Sequence, residues 1–465
     1  MSAETSETLT PALSLFQRER EKRQAAAVQV GTAHPNAPSI AVPLRFVVTG
    51  ISSLLVGVIW LALRPDILAT YHYNQYVLAV THLFTLGFIC SVIMGSMYQL
   101  VPVALETKLH SEKLARWQFV LHAVGFVGMV WMFWIWDLKQ VGHFGSFVAI
   151  GIGMFVFNLA KTLKRVPRWN VVAFGVASAL VWLTLTMLAG LYVVAAKCWP
   201  FSPFAPIAQM HAHAHLGGIG FFVVMVVAVS YKLVPMFGLS EIRNERRAAW
   251  SIKLLNVGLA GLFVGILFDR AWKLAFALVV IGGLAVYGVE LRAILRARKR
   301  RHLDWALKYF LTAVALLAPV SALAIVLCWP WLPATEFTAQ LENVYGLLAL
   351  LGVVGLAITG MLYKIVPFLV WFARYSMEIG RRKVPALADL YSPALQAIGY
   401  WSYLAGLAAV SVSSALGAER AVQWSCAVMA LSVGVFAMNM LRVLRHLWRP
   451  RVEPLPACAA TEGSA

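Results

Sequence analysis

Three histidines, His211, His213 and His215, interrupt an otherwise apolar run from Met210 to Phe237, and a fourth, His82, stands in a similar run 133 residues earlier. Polar side chains are expensive in hydrocarbon, so ionisable groups inside an apolar run of spanning length mark a working site by default. Successive helical residues turn about 100°, which places His211 and His215 on one face and His213 on nearly the opposite one. One helix can then serve two sites. His82 and His215 hold equivalent places in a repeated pattern and so sit at about the same depth. Two neutral imidazoles at one depth on neighbouring helices are what an axial pair for haem iron requires. His213, on the other face, is placed to ligate a second haem or a copper, and His211 to ligate copper or to support such a ligand. A membrane histidine also serves as a plain hydrogen-bonding residue between helices, and both uses stay open.

The elements that position these residues recur along the chain. Three copies end in Tyr-x-x-Val-Pro: Tyr98 to Pro102, Tyr231 to Pro235 and Tyr363 to Pro367. Small residues fall at matching offsets, Gly87 and Gly95, Gly220 and Ala228, Gly352 and Gly360. Five residues before the leading glycine stand His82, His215 and Leu347, so the copies are 133 and 132 residues apart and the third lacks its histidine. A period this long implies a repeated unit of several helices. Gly87, Gly217, Gly218 and Gly220 would let a flat macrocycle approach the backbone, although glycine also promotes helix packing in membranes.

Composition sets the solvent. With 60% hydrophobic and 13% charged residues over 465 and a mean hydropathy of +0.75, the chain is a polytopic membrane protein whose partner is the lipid bilayer. The net charge of +19 does not point to nucleic acid, because the basic residues fall in loops between apolar runs on one side, as the positive-inside rule expects. The fold class is all-α: twelve transmembrane helices in a pseudo-threefold ring of three four-helix repeats. Residues 1–43 read as a disordered cytoplasmic tail without a signal peptide. Residues 44–445 read as the membrane domain, with repeats of about 44–168, 169–301 and 302–445, and residues 446–465 as a second cytoplasmic tail. Both termini lie inside a bacterial cytoplasmic membrane.

Several residues carry weaker readings. Arg64, Arg270 and Lys273 are the cations available on the outer side for haem propionates. His122 lies near the inner end of its span, and His72 and His143 at the outer boundary, all three as interfacial residues. Asp137 to Gly142 form an outer turn. Glu290 ends span eight on the inside, and the other acids lie in loops. Cys198 and Cys328 both open a Cys-Trp-Pro triplet at outer helix ends; they either end helices as small apolar residues or pair across an oxidising space.

Twelve spans in three groups of four, with histidines on the second helix of a group, resemble subunit I of the haem-copper oxidases. The string His213-Ala-His215-Leu-Gly-Gly-Ile-Gly220, followed by Tyr231-Lys-Leu-Val-Pro235, is similar to the tenth-helix pattern of the nitric oxide reductase and C-type oxidase branch. The resemblance implies haem b, one or two, with copper as a further metal. By position it gives His213 to an active-site haem, and His215 with His82 to a low-spin haem. The chain departs from that pattern: the H-x-H lies on the sixth span, span ten offers Asn343, Tyr345 and Leu347, and span seven has no histidine for a copper site. A dioxygen-reducing oxidase is therefore not expected. Two readings stay open. One is a haem b protein for electron transfer or nitric oxide handling, an oxidoreductase if an enzyme, similar to the nitric-oxide-tolerance membrane proteins called NnrS and served by an electron-donor or oxidase subunit. The other is a copper or haem carrier for oxidase assembly, with His211, His213 and His215 as a relay.

Overall fold

The computed structural model describes residues 36, 38–300 and 302–454; the terminal tails read from the sequence lie largely outside the described residues. The larger of two compact units comprises Asn36–Ile365 with Pro393–Asn439. In the smaller, Val366–Ser392 meets the chain from Met440 onward. There Arg382–Lys383 pairs antiparallel with Glu453–Pro454. Tyr375 Oη shares a hydrogen bond with His446 Nδ1 (2.6 Å) and accepts from the Arg451 amide (2.9 Å).

Among the described residues twelve helices are long and apolar enough to cross a membrane. They are α1 (Ala41–Leu63), α2 (Gln75–Ala104), α3 (Glu112–Ile135), α4 (Leu138–Leu163), α5 (Val171–Cys198) and α6 (Pro206–Gly238), followed by α7 (Glu245–Leu267), α8 (Lys273–Arg296), α9 (Trp305–Leu327), α10 (Glu336–Glu378), α11 (Pro393–Ala415) and α12 (Glu419–Arg445). The apolar windows of α2, α6 and α10 are 67%, 72% and 72% buried, against half at most for the other nine. Protein surrounds those three, and lipid is left to the rest. They are the second helix of each group of four.

The paired small residues explain how the centre closes. A Cβ at Gly95 would lie 2.5 Å from Phe46 on α1, one at Gly220 2.7 Å from Trp182 on α5, and one at Gly360 2.6 Å from the Ala306 carbonyl on α9. Gly87 likewise meets Ser53 on α1. Each second helix thus packs against the first of its own group through small residues, the common device where no hydrophobic force separates helix from lipid. Gly87 and Gly220 therefore serve helix packing rather than the approach of a macrocycle, whereas Gly217 and Gly218 line a cavity. A second device recurs 133 residues on: Gly125 and Gly128 of α3 take Val148 and Phe144 of α4, and Gly258 and Gly261 of α7 take Val280 and Phe276 of α8.

Each central helix carries a π-helical stretch at one place: Leu83–Cys90, Leu216–Val223 and Leu348–Gly355. They begin immediately after His82, His215 and Leu347. π turns are uncommon and concentrate at functional sites, and the widened turn opens a carbonyl to a side chain. Leu86 O accepts from Ser91 Oγ and His122 Nε2, each at 3.1 Å. The equivalent Leu351 O accepts from Tyr403 Oη at 2.9 Å.

His122 is accordingly a fully buried core histidine, not an interfacial one, because a π-turn carbonyl needed its N–H. His143 is exposed and rests on Gln140 at 3.3 Å. The stretch read as an outer turn after Asp137 is already helix: Trp136 adopts a left-handed φ of 63° and the Asp137 carboxylate accepts from the Gln140 amide at 3.1 Å, a standard N-cap. Buried Glu290 accepts from the Arg243 and Asn244 amides and from Arg247 Nε (2.7, 2.9 and 2.8 Å), so it organises the α6–α7 loop. Cys198 and Cys328 are both free thiols.

Candidate functional site

A cavity of about 1020 Å³ lies in the larger unit, lined by residues from α1 to α10 and the α1–α2 loop. It is at the upper end of the range that takes whole organic ligands, roughly 300–1,000 Å³. Its wall is mostly apolar, and the polar exceptions are informative: His72, His82, His211, His213, His215, Glu342 and Tyr345 all face it.

Three of these histidines are held in the same way. His82 Nδ1 donates to Leu78 O at 2.7 Å, His215 Nδ1 to His211 O at 2.7 Å, and His213 Nδ1 to Thr186 O on α5 at 3.0 Å. A carbonyl can only accept, so Nδ1 carries the proton and Nε2 is the free lone pair in the neutral ring. Metal-binding histidines are oriented in this manner. The Nε2 atoms differ in their surroundings. That of His215 lies 3.4 Å from Tyr345 Oη on α10, with the two rings stacked. For His82 and His213 no protein partner of Nε2 is found among the described residues. His82 stacks on Phe133 of α3 at 4.7 Å between centroids. His213 lies against Gly190 of α5.

The sequence-based expectation joined His82 to His215. The structure places His82, His213 and His215 all on the wall of one cavity, with His215 beside Tyr345 of α10 and His213 tied to Thr186 of α5.

A second cluster stands where the α1–α2 loop meets α6 and α10. His72 Nε2 and His211 Nε2 are 3.1 Å apart with rings nearly parallel at 16°, and Glu342 Oε2 is 3.0 Å from His72 Nδ1. One ligand atom from each of the three residues lies within 4.8 Å of the others. Burial pushes the His72 pKa down to about 4. Sequence reasoning missed two of the three. In sequence His72 reads as interfacial and Glu342 as a loop acid, whereas Glu342 lies within α10, and their separation of 270 positions leaves no spacing to read.

The cations divide. Lys273 lines the cavity and donates to Asp269 at 2.8 Å. Arg64 is held by Asp66 at 2.8 Å and lies over the rings of Tyr76 and Trp134. Arg270 is exposed. Neither arginine lines the cavity, whereas Lys197 does, with Nζ 4.6 Å from the Tyr73 ring centroid. In sequence Lys197 reads only as the end of α5.

No family model and no curated protein matches this chain. Among solved structures it is similar to a chain from the cryo-EM structure of a heme-copper terminal oxidase dimer. The TM-score is 0.60 over 89% of this chain and 84% of that one, at 11% identity. The likeness is one of fold: an all-α, multi-pass membrane protein of twelve spans, arranged like a heme-copper oxidase.

The donor set fits a haem. Two imidazoles with tethered Nδ1 and unpartnered Nε2 face one large apolar chamber, and Gly218 beside them has open space where a Cβ would stand. His82 and His213 would hold the iron, and Lys197 and Lys273 are the cations at the wall.

Proposed function

We propose that the protein binds haem b inside the membrane and works in electron transfer or nitric oxide handling, without reducing dioxygen. The observation that carries this reading is that His82 and His213 are both tethered through Nδ1 on the wall of one chamber, with no protein partner of either Nε2 among the described residues. Bound there, the haem would supply a one-electron couple. The chain's part is to fix both rings, exclude water with an apolar wall and offer Lys197 or Lys273 to the propionates. Were both imidazoles to hold the iron, the group would supply electron transfer rather than gas binding. The basic loops on one side support placement in a bacterial cytoplasmic membrane with both termini inside, facing an electron-donor or oxidase subunit.

The copper or haem carrier is less well supported. A relay needs the three histidines of α6 in line, and here they point two ways.

The test is the reduced-minus-oxidised absorbance spectrum of the purified protein, with haem extracted and counted per chain. A b-type band with about one haem per chain is expected. Protein that stays colourless after expression with haem supplied would overturn the reading.

A further inference from the structure

The geometry points to a second, haem-independent metal site in which His72, His211 and Glu342 bind a divalent first-row transition ion. Three elements distant in sequence, the α1–α2 loop, α6 and α10, bring these side chains together, and none of the three is needed for the haem reading.

The argument starts from what the cluster lacks. Two imidazoles from separate elements have been brought nitrogen to nitrogen at 3.1 Å, where one N–H of one ring can bond the lone pair of the other or both lone pairs can face one ion. Two nitrogens bound to one tetrahedral ion at about 2.0–2.1 Å each are roughly 3.3 Å apart, close to the spacing found. Glu342 Oε2 approaches His72 Nδ1 to 3.0 Å, yet the approach is not angled as a hydrogen bond and that buried nitrogen has no hydrogen-bonding partner. A half-buried carboxylate beside two imidazoles supplies a charge that a divalent ion would compensate. Lys273, a cation on the same cavity wall, is paired with Asp269.

Ligand chemistry sets the class of ion. Two imidazoles and one carboxylate suit Zn²⁺, Cu²⁺ or Fe²⁺ and disfavour Cu⁺, which prefers sulfur. Three protein ligands leave a coordination position open. Since all three residues line the cavity, that position is accessible from within it.

The experiment uses tag-free, full-length protein in detergent, stripped with a chelator and titrated with Zn²⁺ against a chromophoric competitor, and separately with Cu²⁺ followed by electron paramagnetic resonance. One Zn²⁺ per chain is expected. Glu342→Gln and His72→Gln, both close in size to the native side chains, should each weaken binding at least tenfold, while Glu336→Gln at the start of α10 does not. The Cu²⁺ spectrum should show nitrogen coupling that His72→Gln reduces. Size-exclusion elution and haem content report folding in the same samples. No stoichiometric Zn²⁺ on the native chain, or unchanged affinity in folded Glu342→Gln and His72→Gln, would overturn the site. The titration needs no haem signal, so its failure and that of the haem reading are distinguishable.

Discussion

Gly190 shows how closely single atoms set the site. A Cβ there would stand 3.0 Å from His213 Cε1 and 3.5 Å from Nδ1, so Gly190→Ala must push the ring by a few tenths of an ångström and strain its bond to Thr186. The chain should fold and still take up haem. Its low-spin absorbance should broaden and haem retention in detergent should fall several-fold. Gly153→Ala, which adds a methyl into open space, should leave both unchanged; equal spectra for the two variants would deny His213 its role. At this scale the sequence exposed the histidines of α2 and α6, because each interrupts an apolar run. It concealed His72, Glu342 and Lys197, which read as ordinary loop or helix-end residues until folding places them on one wall.

The central helices owe their form to the π-helical stretches as much as to hydrophobicity. In the stretches of α2 and α10 a side chain from a neighbouring helix meets the opened carbonyl, His122 at Leu86 and Tyr403 at Leu351. Buried acceptors that lose their donor cost about 1–3 kcal/mol. Tyr403→Phe should therefore destabilise the protein by about 1–2 kcal/mol, read as a lower thermal midpoint, with no change in the haem spectrum since Tyr403 is outside the cavity wall. No loss of stability would mean that the carbonyl is satisfied in another way. The helices themselves were legible from apolar runs and from the 133- and 132-residue offsets. The π turns were not, because a widened turn depends on packing from α3 and α11 and leaves no periodicity to read. Glycine carried an ambiguous signal for the same reason: Gly87 and Gly218 look alike in sequence, yet one is filled by Ser53 and the other faces the chamber.

Three four-helix groups put three central helices around one interior, and only two of them, α2 and α6, carry histidines at the depth of the π stretches. The third has Leu347 there and contributes Tyr345 and Glu342 instead, so the groups share an architecture and differ in chemistry. The central claim is that α2 and α6 hold one iron between His82 and His213, with His215 engaged by Tyr345. Electron paramagnetic resonance of the oxidised protein tests it most directly, because a ferric haem with two imidazoles gives a characteristic low-spin signal. The signal should be present in the native chain, absent in His82→Ala and in His213→Ala, and retained in His215→Ala. Its retention in His213→Ala with loss in His215→Ala would contradict this pairing and return the iron to His82 and His215.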